Sequence, residues 1–208
     1  METVDNFIVR KKLDIDTDTI IKNIFDLKPL WVPRSDEYPF YTLGRNAYLD
    51  GKTDSYKQYP IFENPLFYNN FEDLYEAVID VLKKELCEEV KLAWDLSYPG
   101  FHIFKSDKKL LDISGHWHHD SPHTILEIDD IDTSTFTVPI MLPKSGGGID
   151  YLINEKEHYL PYREKQLLWH NGKTVHRIAK FKECEPDEYR ITLQGHLVRR
   201  NGQMEVFW

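Results

Sequence analysis

The run His116-Trp117-His118-His119-Asp120 concentrates groups that bind metals or move protons. On a strand, residues two apart share a face, so His118 and Asp120 point the same way, joined by His116 if the strand begins early enough. An imidazole and a carboxylate converging from one strand are two ligands for a metal ion. In a loop the same residues are simply solvated, and an isolated H-x-D does not decide between the two. His176 lies downstream in Gly172-Lys173-Thr174-Val175-His176-Arg177-Ile178, at a separation that several antiparallel strands can fold back onto one site. Alone it reads as a core histidine. A third element is Arg190-Ile191-Thr192-Leu193-Gln194-Gly195-His196-Leu197, in which Ile191, Leu193 and Leu197 face one side and Arg190, Thr192, Gln194 and His196 the other. An exposed strand alternates in this way too. An inward polar row would hold an anion, with an arginine gripping a carboxylate through two parallel hydrogen bonds and a threonine hydroxyl adding a third.

The elements that must position these residues change character along the chain. Up to about residue 91 the pattern is helical and aromatic. Asp16-Thr17-Asp18 offers helix caps ahead of a stripe of Ile20, Ile21, Ile24 and Phe25, and Pro29 follows its end. Trp31 to Tyr68 is rich in aromatics and prolines without clear periodicity, and is expected to drape over the core and wall a pocket. Phe71 to about Val90 reads as a helix capped by Asn70, with Phe71, Leu74, Tyr75, Val78, Ile79, Leu82 and Leu86 at helical spacing. Beyond residue 95 the period becomes two. Strands are expected at Phe101–Phe104, Ser114–Asp120, Thr135–Leu142, Ile149–Ile153 after the Gly146-Gly147-Gly148 turn, Gln166–Trp169, Thr174–Phe181 and Tyr189–Val198. The predicted fold is mainly β with N-terminal α: residues 1–95 form a helical and aromatic-rich layer of the same domain, and residues 96–208 an antiparallel sandwich or barrel.

Composition excludes several classes. The 208 residues fit one domain with its own core. A net charge of −9 makes a nucleic-acid partner unexpected. Two distant cysteines, Cys87 and Cys184, form no disulfide framework and no cysteine zinc motif, so a reducing, cytoplasmic setting is expected. No apolar run approaches a membrane span, and Met1 to Lys12 has no apolar stretch of a secretory signal. Four of the nine histidines fall between His116 and His123.

Each chemical element is weak alone, but in this order within an all-β half they converge. Two histidines and a carboxylate on one face of an ion leave coordination positions open, a ligand set suited to non-haem iron(II) oxygenases, whereas closed structural zinc takes four protein ligands. The chain resembles the iron(II)- and 2-oxoglutarate-dependent dioxygenases with a double-stranded β-helix (jelly-roll) core. The resemblance rests on His118-x-Asp120, His176 and Arg190-x-Thr192, supported by Thr135-Phe136-Thr137-Val138, Gly146-Gly147-Gly148-Ile149 and Gln166-Leu167-Leu168-Trp169. It covers roughly residues 98 to 200. It implies Fe(II) held by His118, Asp120 and His176, 2-oxoglutarate whose far carboxylate meets Arg190 and Thr192, and O2 as oxidant, with release of succinate and CO2. The carboxylate Asp120 implies hydroxylation rather than halogenation. His116, His102, Thr137, Trp169 and Gln194 are expected behind the ligands or facing the substrate.

Other readings use the same residues. His116-x-His118 begins a cupin-like set, but Glu127 falls too far downstream. A zinc hydrolase built on the triad leaves Arg190 and Thr192 without a task. A non-catalytic jelly-roll binding module has no reason to keep triad and arginine in register. His119 should face away from His118, and His123 sits in a loop. The expected substrate is a small molecule or amino-acid-type compound, with a peptide as the alternative. Lys105, His102, Arg163 and Arg177 are equivalent candidates for an anionic group on it. Oligomeric state is not legible.

Overall fold

A computed structural model describes residues 2–5, 8–51, 54–122, 124, 133–183 and 185–208. His123, Glu127 and Cys184 lie outside the described residues. In chain order the elements are β1 (Glu2–Asp5), β2 (Ile8–Lys12), α1 (Thr17–Asp26), β3 (Val32–Pro33), β4 (Phe40–Leu43), α2 (Ala47–Asp50), α3 (Asp54–Leu86), β5 (Val90–Leu92) and β6 (Gly100–Lys105). There follow β7 (Ser134–Met141), β8 (Ile149–Ile153), β9 (Lys156–Leu160), β10 (Gln166–Asn171), β11 (His176–Ile178), β12 (Tyr189–Arg200) and β13 (Gln203–Phe207).

Two sheets face each other as a double-stranded β-helix. The larger runs β1-β2-β10-β7-β12-β6-β4-β3, with β13 beside β12 and β5 joining β13; the smaller runs β11-β8-β9. The segment before residue 95 therefore supplies β1 to β5 to the larger sheet as well as the helices. β12 is the central organiser, paired over Tyr189–Gln194 with β6, over Ile191–Leu197 with β7 and over His196–Arg200 with β13. Its alternation sorts chemistry from core. Ile191, Leu193 and Leu197 are fully buried on the outer face, in one cluster with Leu74, Val78 and Leu82 of α3 and Ile20 and Ile24 of α1. Each such side chain stabilises the fold by roughly 1.5–3 kcal/mol. Arg190, Thr192, Gln194 and His196 take the opposite face, towards the smaller sheet.

α1 starts where the Asp16 carboxylate accepts from the Asp18 and Thr19 amides. α3 departs from the sequence expectation. Helix already begins at Asp54, and a break at Phe71 (φ −135°, ψ 22°) divides it from the part the periodicity marks. Pro60 and Pro65 obscure the first part, because each removes a helical hydrogen bond and predicts interruption. Asn70 donates to the Leu66 carbonyl at the end of that first part rather than capping the second. Only some of the aromatic stretch drapes over the sheet. Trp31 packs on Phe25, Tyr41 and Tyr189 on the outer side, while Phe62 is 78% exposed on α3. The Ser114–Asp120 strand reduces to one bridge at His118, and Thr174–Phe181 to His176–Ile178 with a further bridge at Phe181.

Gly100 is required by a close approach. Trp208, wholly buried, lies flat on it, and a Cβ there would sit 2.1 Å from the indole and 2.6 Å from the Leu43 carbonyl oxygen. Because backbone blocks one escape, Gly100→Ala should destabilise by about 1–3 kcal/mol, read as a lowered urea midpoint with an unchanged m-value.

Candidate metal and anion site

Main-chain pairing builds the site. His118 and His176 exchange both amide–carbonyl hydrogen bonds (3.0 and 2.8 Å), and the Asp120 amide donates to Gly172 O (2.9 Å). Two separate segments are thereby locked with their side chains on one side. His118, Asp120 and His176 come together with their potential ligand atoms all within 4.8 Å of one another. His118 Nδ1 bonds the His116 carbonyl (2.7 Å) and His176 Nδ1 the Thr174 carbonyl (2.8 Å). A carbonyl can only accept, so each Nδ1 carries the proton and each Nε2 turns its lone pair to the site. Nε2 of His176 lies 3.5 Å from Asp120 Oδ2, and that of His118 lies 3.9 Å from Oδ1.

The residues fit a divalent ion. Asp120 Oδ2 is buried without a hydrogen-bond partner among the described residues, an oxygen that a cation would complete. Burial opposes ionisation of this carboxyl, yet His176, His196, His170 and His118 around it hold it well below the usual carboxylate range. Burial pushes His176 down to about 4, so its imidazole is neutral at pH 7, the ligating form. His118 is half exposed on the open side, whereas Asp120 and His176 are buried.

On the inward face of β12, in the larger sheet and not in the sheet that carries His176, lies a candidate anion site. Arg190 is 1% exposed, and among the described residues no carboxylate pairs with it. Its Nε donates to the Gly147 carbonyl (2.8 Å), and its guanidinium lies over the rings of Phe104 and Tyr162, 5.4 and 5.1 Å from the centroids. Gly147 adopts φ +71°, and a Cβ there would press on Arg190 Cδ at 3.3 Å, which gives the glycine turn its task. Arg190 Nη1 and Thr192 Oγ1 are buried without partners. A donor pair of this kind is costly to leave unmet, and a carboxylate would complete it.

The other sequence candidates take definite places. Thr137 is buried on the inner face, where it contacts the Tyr162 hydroxyl, which also meets Arg190. Gln194 pairs with Thr137 across the strands and shares the inner row. His102 packs on Trp208 and Phe40, its Nδ1 unpartnered. His116 contributes its carbonyl, while its ring is exposed. Trp169 is not brought to the triad. It lies on the face of β10 opposite His170 and donates to Ser134 Oγ (2.8 Å). Of the candidate anion binders, Lys105 pairs with Asp187, and Arg177 with Asp150 and Glu157.

Three residues around the site escape the sequence reading, Tyr48, Tyr162 and His170, and a fourth, His196, is marked there only as a member of the polar row on β12. His170 stands edge-on to His176 at 4.6 Å, and His196 Nδ1 meets Thr135 Oγ1 at 3.0 Å. Tyr48 crosses His196 edge to face at 5.4 Å; burial, then the Asp120 charge, push its phenol up and keep it protonated. The α2 turn carrying Tyr48 is clamped by the two-pronged Arg34–Asp50 pair (2.9 and 2.6 Å). The alternation on β12 gave a usable signal only for His196.

Burial also predicts acid sensitivity. His102 is pushed down to about 3 and His196 to about 4, burial being the largest cause for both. On unfolding each returns towards the ordinary 6.5, so below that pH the unfolded chain binds more protons. Stability of the metal-free protein should therefore fall from about pH 6.5 towards pH 4, by on the order of 1 kcal/mol per pH unit per histidine. Urea midpoints at pH 7, 6 and 5 check this, and His196→Asn should flatten the slope.

No helix among the described residues is long and apolar enough to cross a membrane. No protein-family model matches the chain, and no curated protein does. Solved structures do. An N-substituted L-amino acid dioxygenase from Burkholderia ambifaria matches with a TM-score of 0.60 at 10% identity, covering 97% of this chain and 86% of that one. The same enzyme in complex with α-ketoglutarate gives 0.57 at 9% identity, with the same coverage. A prolyl hydroxylase from Trichoplax adhaerens, in complex with a hypoxia-inducible-factor peptide fragment, gives 0.56 at 10% identity, covering 92% and 83%. The chain thus has the double-stranded β-helix fold that these oxygenases share.

Proposed function

We propose that the protein is an iron(II)- and 2-oxoglutarate-dependent oxygenase that hydroxylates a C–H bond of a small-molecule or amino-acid-type substrate. The observation that carries this reading is the pairing of two incomplete sites on different sheets, with Tyr162 within electrostatic reach of both Arg190 and Asp120. One is the open three-donor cluster of His176 in the smaller sheet and the segment bridged to it, and the other a buried arginine and threonine with unmet polar atoms on β12. A metal hydrolase would use the first and leave the second unsatisfied. A binding module would have no need of both.

His118, Asp120 and His176 would hold Fe(II), and Arg190 and Thr192 the far carboxylate of 2-oxoglutarate. When bound, iron and 2-oxoglutarate together supply the activation of O2 that side chains alone cannot perform. The chain's own part is to orient and to exclude. The carbonyls of His116 and Thr174 fix the ligand tautomers, Gly147 and Tyr162 aim the guanidinium, and the inner row of Thr137, Thr192, His102 and His196 lines a face largely closed to water. The reading places the enzyme in a reducing cytoplasm, in keeping with the free thiol of Cys87.

Anaerobic addition of Fe(II) and 2-oxoglutarate should produce a weak visible charge-transfer band, and O2 with ascorbate should then yield succinate. No band, together with zinc-dependent activity indifferent to 2-oxoglutarate, would instead establish the hydrolase. A substrate screen by succinate release over amino acids, their derivatives, peptides and other metabolites identifies the co-substrate's partner.

A further inference from the structure

Tyr48 and Asp120 each carry a buried polar atom with no hydrogen-bond partner among the described residues, and the two atoms are of opposite kind. Asp120 Oδ2 can only accept. Its nearest imidazoles, those of His176 and His118, turn Nε2 lone pairs towards the carboxylate, at 3.5 and 3.9 Å, so neither donates to it in the neutral form. The phenol of Tyr48 is a donor, because burial, then the Asp120 charge, keep its proton in place. Asp120 and the Ser121 amide both lie near enough to influence the phenol oxygen, although no hydrogen bond to either is closed. The amide can only donate to that oxygen, which leaves the phenol proton for the carboxylate. The mounting of the ring allows it little freedom. The Asn46 side chain accepts from the Tyr48 and Leu49 amides (2.8 and 3.3 Å), and the Asn46 amide donates to Asp50 Oδ2 (3.0 Å), the carboxylate that Arg34 grips. The Ala47 amide donates to the Trp208 carbonyl (3.1 Å). The ring stands edge-on to His196, whose Nδ1 meets Thr135. Packing alone does not account for the hydroxyl, since phenylalanine would fill the same space without an unmet donor.

We propose that Tyr48 is a positioning residue of the metal centre, its hydroxyl donating to the Asp120 carboxylate and fixing the rotation of that ligand while the ion is held. The inference rests on the metal reading of the triad and not on the choice between oxygenase and hydrolase. An ion meets part of the carboxylate, and the hydroxyl meets the rest. Partners that hold a metal ligand from behind set its orientation and basicity, and loss of one typically costs about 10–100-fold in affinity.

Cobalt(II) titration of the unmodified protein and of Tyr48→Phe tests this, with urea unfolding of both metal-free forms alongside. Tyr48→Phe should weaken Co(II) binding by about tenfold or more. Its metal-free urea midpoint should be kept or raised, because the ring still packs on His196 and an unmet donor is gone. A tyrosine with a structural role only would do the reverse, lowering the midpoint and leaving the affinity alone. Addition of Co(II) to the unmodified protein should also red-shift the near-ultraviolet tyrosine band, the mark of a phenol that begins to donate a hydrogen bond, and Tyr48→Phe should lose that shift. Affinity in Tyr48→Phe within about twofold of the unmodified protein overturns the proposal. Should the variant fail to fold, the unmodified protein decides: a red shift on metal addition upholds the proposal and its absence overturns it. Absence of Co(II) binding to the unmodified protein would remove the metal reading itself, so the two failures are told apart.

Discussion

Arg190→Met should erase the thermal stabilisation that 2-oxoglutarate confers while costing the ligand-free protein little. Arg190 is almost wholly buried, its Nη1 has no partner, and its Nε bonds only the Gly147 carbonyl. In the ligand-free protein two effects oppose each other. Methionine removes a buried charge with an unmet donor, which is neutral to stabilising. It also strips a partner from Gly147 and from the Tyr162 hydroxyl, at roughly 0.5–1.5 kcal/mol each. The net change should stay within about 1 kcal/mol. With ligand the balance is one-sided. Two charge-assisted hydrogen bonds at about 1.5–3 kcal/mol each set a loss of at least roughly 100-fold in affinity. At a ligand concentration 100 times the dissociation constant of the unmodified protein, binding adds about 2.7 kcal/mol, and after a 100-fold loss only about 0.4 kcal/mol remains. For a chain of this size that is a shift of several degrees in Tm reduced to about one. Calorimetric scans with and without 2-oxoglutarate measure both quantities, and an undiminished shift in Arg190→Met would place the co-substrate elsewhere. Arg190→Lys should retain only part of the shift, since an ammonium cannot reproduce the planar fork between Phe104 and Tyr162.

What the sequence makes legible follows the range of the forces involved. The inward row on β12 is legible because alternation is a local property, and the same period places Ile191, Leu193 and Leu197 against the helices. His118 and Asp120 do share a side, but the extended segment that carries them makes a single bridge, held by His176 across the chain. Short strands such as Val90–Leu92 and Phe40–Leu43 are invisible, because their pairing with β13 and β6 is decided at long range and three or four residues carry no period. Tyr162 follows Pro161 between two strands and belongs to no periodic set, so its contact with Arg190 emerges only from the fold. Tyr48 is hidden for the same reason, on a one-turn helix whose place is fixed by Arg34 and Asp50. Trp169 shows the opposite limit: its neighbours in sequence point to the site, but the period of two sends its ring to the other face.

Asp120→Asn should abolish metal binding with almost no change in shape, and His116→Ala should leave it intact. The asparagine keeps the volume of the side chain, and the Asp120 amide bond to Gly172 is main-chain and survives. What disappears is the anionic donor of the cluster, whose Oδ2 lies buried, unpartnered and 3.5 Å from His176 Nε2. A hard divalent ion held by two neutral imidazoles alone loses the ligand that neutralises its charge. Removing only an outer-shell partner of a metal ligand typically costs 10–100-fold, so loss of the carboxylate itself should exceed about 100-fold, or roughly 2.7 kcal/mol. His116 tests the other side of this logic. Its side chain is exposed, and what it gives the site is the backbone carbonyl that orients His118, which alanine also provides. Cobalt(II) titration followed by visible absorption separates the two. The unmodified protein and His116→Ala should develop the same ligand-field spectrum within about twofold in affinity, and Asp120→Asn should develop none. A spectrum altered in His116→Ala would mean that its ring is a ligand after all, and that the site is built on His116, His118 and His176 in the manner of a cupin.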